Sequence, residues 1–189
     1  MSNPDNSAYL KSFEQKVHSE LLSLCTSYIP VTAVLPSSQD VEERWNELAP
    51  EYLHDAIPQI SDYPTVSIAW AGYLGMAVAN DWDKEWETLK ERPYKDFYGA
   101  QGFDDMDENI LYNILQLAPE SKDCVDIEAM MRRLAQKALT LMRHENIEPQ
   151  SPTAFYAYTR VVKIMFRIGA SLELLRLGYV CQKVNLPLN

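Results

Sequence analysis

Residues 66–79 read VSIAWAGYLGMAVA, fourteen positions that are apolar or small on every face, and the chain then turns abruptly into the acidic run NDWDKEWE at 80–87. A helix that is hydrophobic all round has to be buried. Fourteen residues also fall short of the roughly 18 apolar positions that suggest a membrane span. The stretch therefore predicts an interior helix, with the acidic continuation carrying the same helix out of the core.

The remaining periodicities fit a bundle around that helix. Leu10, Phe13, Val17, Leu21 and Leu24 step by three or four residues and predict a first helix over about 8–27, ended by Tyr28, Ile29 and Pro30. A second helix, about 40–56, carries Val41, Trp45, Leu48 and Tyr52, and Pro50 suggests a break into two shorter pieces. The central helix starts at Pro64, a favoured first-turn proline, and runs to about residue 90. Residues 94–103, with Gly99 and Gly102, read as an irregular segment. Further helices are predicted over about 105–117 and 123–145, and Ser151-Pro152 opens a long C-terminal helix over about 152–182. No run alternates like a strand. The fold class is all-α: a single domain over 8–189 with about six helices, preceded by a disordered residue 1–7 segment. A chain of 189 residues should bury roughly 70% of its unfolded surface, so it needs no staples.

Charge and cysteine usage exclude several functions. The net charge is −10, and the longest basic run is the pair Arg132-Arg133. Phosphate backbones and anionic membranes call for clustered cations, so neither nucleic acid nor a membrane surface is an expected partner. Cys25, Cys124 and Cys181 are odd in number and far apart, which predicts neither a disulfide framework nor a zinc site. No leader pattern opens the chain, and the expected location is the cytoplasm.

Two features invite a functional reading. In the central helix, Ala69, Gly72, Gly75 and Ala79 fall along one side. A glycine inside a helix costs about 1 kcal/mol against alanine, so two of them imply close approach of another backbone. That partner is another helix of the same core or, alternatively, a second copy of the chain or a ligand.

The second feature is the acidic, aromatic region 81–108. Ten carboxylates stand against four basic residues, a local net of −6, and Trp82, Trp86, Tyr94, Phe97, Tyr98 and Phe103 are interleaved with them. If the helix holds, Asp81 and Glu85 share one face and Trp82 and Trp86 the adjacent one. Asp81, Trp82, Glu85, Trp86, Tyr94, Phe97 and Tyr98 are the candidate ligand-binding residues.

Residues 104–108, DDMDE, superficially read as DDxxE, a pattern that holds magnesium in isoprenoid synthases. The spaced serine and glutamate of those enzymes' second metal motif are missing, so no family is assigned. Asp104, Asp105 and Glu108 are the alternative metal ligands; the competing reading of Asp105 and Glu108 is an acidic capping box. Asp40 and Glu43 repeat that spacing at the second helix. Glu51-x-x-His54 is a single copy, where a di-metal bundle needs two. No P-loop, GxGxxG or GxSxG is present, and no cofactor is expected.

The sequence thus points first to a non-catalytic protein-interaction or self-associating domain, with a homodimer as one form. The alternative is a small-ligand-binding or metal-assisted hydrolytic domain with its site at 81–108.

Overall fold

The computed structural model describes residues 4–26 and 35–180 and shows a single all-α domain, with no strand among those residues. The helices are α1 Pro4–Thr26, α2 Gln39–Gln59, α3 Pro64–Leu89, α4 Met106–Glu108, α5 Lys122–His144 and α6 Pro152–Arg176. No described helix is long and apolar enough to cross a membrane. The expected stop at residues 28–30, residues 1–3 and Cys181 lie outside the described residues, and α1 already begins at Pro4, ahead of Ala8.

Helix α3 is the centre of the bundle, packing most extensively on α6 and also on α2 and α5. Its buried run extends from Ser67 to Asp81, broken nowhere by an exposed position. The two central helices run parallel. Near their starts the Tyr158 hydroxyl donates to the Ser67 carbonyl at 2.9 Å, and near the far end the Asn80 amide donates to Glu173 at 3.1 Å.

Between those points the backbones touch. A Cβ on Gly169 would stand 1.9 Å from the Gly72 carbonyl oxygen, and one on Gly75 would stand 2.0 Å from that of Phe166. Gly72 also faces the Met131 sulfur from α5. Gly72 and Gly75 of α3 therefore meet α6 and α5 of the same chain.

Several helix boundaries depart from the sequence expectations for physical reasons. Pro50 does not divide α2, because the stripe Val41, Trp45, Leu48, Tyr52 and Ala56 stays buried on both sides of it. Burial of five side chains outweighs the loss of one backbone hydrogen bond. Helix α6 stops at Arg176, six residues short of the expected end. Gly178 at φ +96° turns the chain, its amide donating to Leu175 at 3.0 Å and that of Tyr179 to Leu174 at 2.9 Å. That pair of bonds is a Schellman motif, which satisfies two carbonyls of the last turn.

The expected helix over 105–117 is also different. After 3₁₀ turns at Tyr94–Phe97 and Phe103–Asp105, α4 passes straight into a π-helix, Asn109–Ile114. Its register is visible in the Leu115 amide, which donates to Ile110 at 2.8 Å. The Asn109 side chain donates to the Phe97 carbonyl at 3.1 Å and the Lys84 ammonium to the Ile114 carbonyl at 3.1 Å, so both ends are tied to the rest of the fold. The Ser151 start read from sequence does cap α6, accepting from the Ala154 amide at 3.1 Å, and Ser121, which the sequence reading did not name, accepts from the Cys124 amide at 3.3 Å at the start of α5.

Candidate functional site

The acidic, aromatic region does not assemble one site. Asp81 is 2% exposed and pairs with Arg92 at 2.9 Å. Burial pushes its carboxyl up to about 6, with Arg92, Lys84 and Arg44 pulling the other way. Glu85 has φ −161° and ψ 62°, which breaks the helical path of α3 and leaves its side chain exposed. Asp81 and Glu85 therefore do not share a helix face. The Trp82 indole donates to Asp40 at 3.3 Å and its ring meets Tyr179, while Trp86 packs half-buried against the core.

The aromatic segment beyond the kink is core. Tyr94 and Phe97 are 2% and 1% exposed, the Arg92 guanidinium lies 5.5 Å from the Phe97 centroid, and Tyr98 donates its hydroxyl to Asp55. These residues hold the return strand of chain against α2 and leave no opening between them and α3 that any of the four described clefts uses.

The 104–108 cluster diverges as well. Asp105 accepts from the Gln101 amide at 2.9 Å, and no side-chain cap bond forms at the start of α4 or α2, so the capping boxes read from sequence are absent. Asp104 and Glu108 are exposed. Among the described residues no group of three His, Cys, Asp or Glu side chains stands close enough to hold a metal ion.

Two of the four clefts lie instead along the first half of α3. The larger, of about 530 Å³, is a groove between α3, α5 and α6. Met76, Ile127, Met130, Met131 and Leu172 give it an apolar floor, and Lys122, Asp123, Asp126, Arg133 and Arg176 stand around the rim. Behind that rim Glu173, fully buried, takes two hydrogen bonds of 2.7 Å from Arg176 and one from Asn80. Burying such a carboxylate is tolerable only because these donors meet it.

The smaller cleft, of about 300 Å³, opens between α3, α4 and α5 and is lined by Thr65, Val66, Ala69, Trp70, Tyr73, Asp107, Glu128 and Arg132. The Trp70 and Tyr73 rings stand at 81°, 5.7 Å apart, and the Trp70 indole is locked by a 2.8 Å bond to the Phe103 carbonyl. Burial, eased by the Glu108 amide and reinforced by the Glu108 and Glu128 carboxylates, pushes Asp107 up to about 6. The Cys124 thiol beneath, 3.7 Å from Glu128, is raised by burial and by that carboxylate.

Of the smaller cleft's lining only Ala69 was singled out from the sequence, because the lining comes from three separate segments. The one available signal was the spacing of Glu128 and Arg132 one turn apart beside an inward stripe. No family model, no curated protein and no solved structure matches this chain.

Proposed function

We propose that the chain is a non-catalytic interaction domain whose groove between α3, α5 and α6 receives an amphipathic helix of a protein partner. The observation that carries this reading is the methionine-floored groove itself. Ile127, Met130 and Leu172 remain half-buried there after the chain has packed on itself. Methionine adapts its shape to an incoming surface, and a helix laid in an apolar groove is a recurring mode of recognition. Lys122 and Arg176 on the rim already pair with Asp126 and Glu173, and a partner helix with acidic flanks is expected to share those cations.

Self-association draws on a different surface. The glycines of α3 are occupied by α6, so they offer no seam to a second copy. Ile57, Tyr63, Phe155 and Tyr156 are exposed, and they sit at the end where α2 finishes and α3 and α6 begin. A patch of that kind supports a homodimer reading. The metal-assisted alternative loses its support because the carboxylates of 81–108 point to separate surroundings. Residence in the cytoplasm fits the buried, unpaired Cys25 and Cys124.

The test uses a labelled amphipathic peptide with a leucine stripe and glutamate flanks, and a scrambled control. Binding to the full chain that is lost in Met130→Glu, with the scrambled peptide silent, is the expected result. Equal binding of both peptides, or binding unaffected by Met130→Glu, contradicts the groove. Light scattering over a range of concentrations reads self-association; a concentration-independent monomer removes the homodimer.

A further inference from the structure

We propose that the cleft between α3, α4 and α5 binds a small organic cation, its ammonium held by Asp107 and Glu128 and its body against Trp70 and Tyr73. This site is separate from the groove and stands independently of it.

Three observations converge on that chemistry. The cleft holds about 300 Å³, the lower end of the range for small-molecule sites. Its charged lining is two carboxylates and one guanidinium, and no ion pair joins Arg132 to either acid among the described residues. Arg132 is exposed at the rim, whereas Asp107 and Glu128 are partly withdrawn from water. The deeper part of the cleft is therefore negative.

Tyr73 supplies an independent mark. It is 3% exposed, lines the cleft, and its hydroxyl has no hydrogen-bond partner among the described residues. Burial raises its phenol, Asp107, Glu128 and Cys124 raise it further, and Arg132 pulls the other way, so the hydroxyl lies within the field of all four. Lining the cleft rather than sealed in the core, that hydroxyl can accept a hydrogen bond from a donor that enters. An ammonium provides that donor and relieves the mutual repulsion of the two carboxylates.

The walls select the kind of cation. Trp70 and Tyr73 offer aromatic faces, which attract ammonium groups and pack against apolar ligand bodies. They offer no ligands to a bare metal ion, and no metal-binding group of three exists there. The cleft is also flanked by the π-helix Asn109–Ile114, an irregularity that occurs frequently beside functional sites. Asp107 sits two residues before it.

Isothermal titration of the full chain with phenethylammonium at neutral pH tests the proposal. Saturable binding of one equivalent is expected, with 2-phenylethanol and phenylacetate giving none. Asp107→Asn and Glu128→Gln should each weaken binding about tenfold or more, as expected for loss of a charge-assisted hydrogen bond. Glu128 is half-exposed, so Glu128→Gln keeps the test alive if Asp107→Asn compromises folding. Absence of saturable binding overturns the proposal. So does equal binding of the neutral alcohol, or an affinity unchanged in a folded Glu128→Gln protein.

Discussion

The two halves of α3 differ in what they touch: the apolar first half both packs on α6 and borders two clefts, while the acidic second half binds neighbouring segments. The first half, uniformly apolar or small, contacts α6 through Gly72 and Gly75 on one side. On its flanks it lines both clefts, through Thr65, Ala69, Trp70 and Tyr73 on one and Met76 on the other. The second half carries the conspicuous tryptophans and acids, yet Asp81, Trp82 and Lys84 are used to tie down neighbouring segments. A cleft needs two rigid walls, and only the straight, buried part of the helix supplies one. Beyond Glu85 the helical path breaks, and polar side chains there hold the turn together instead.

The sharpest way to break this contrast is to crowd the spine. Gly169→Leu or Gly75→Leu would push side-chain carbon into the opposing backbone, so each should cost about 3 kcal/mol or more in denaturant unfolding. A folded dimer or monomer of wild-type stability would show that the α3–α6 contact is not what the glycines serve. Next comes Asp81→Ala, which strands Arg92, itself only partly exposed. A loss of about 2 kcal/mol is expected, below the range for a fully buried pair. A change under about 0.5 kcal/mol would return Asp81 to the list of residues free for ligand binding.

Acidity separates the same regions more gently. Asp81 and Asp107 both ionise near about 6 in the fold and near 3.8 in an unconstrained chain. Between those values the folded protein holds protons that the unfolded chain releases. Stability contributed by these groups therefore falls as pH rises from about 4 to about 6 and is level above that. Melting midpoints across pH 4.5–7 should slope downward, and Asp81→Asn and Asp107→Asn should each flatten the slope. An unchanged slope in both variants would show that burial at these two carboxyls is not what raises them. The smallest effects belong to the exposed end: Glu85→Ala should alter stability by no more than about 0.5 kcal/mol.

The bundle was legible because its signals are local. The stripe on α2, the Ser151-Pro152 start of α6 and the all-round apolarity of 66–79 each follow from one stretch of chain. Pro50 misled because a local rule about hydrogen bonding lost to the burial of residues on both sides, although the stripe runs through it unbroken. Gly178 was a readable stop signal that the continuing leucines of α6 obscured. The kink at Glu85 and the π-helix left no pattern that propensity could reveal. The smaller cleft was illegible for a different reason: Tyr73, Asp107 and Glu128 meet only once three helices have packed. Charge density along the sequence drew attention to 81–108, but density along the chain is not convergence in space.

The most direct measurement follows the four tryptophan indole N–H signals by NMR while phenethylammonium is added to the full chain. The account predicts a saturable shift at Trp70, with Trp82 and Trp86 unmoved. Movement of Trp82 or Trp86 while Trp70 stays silent would contradict it and return the site to the far half of α3.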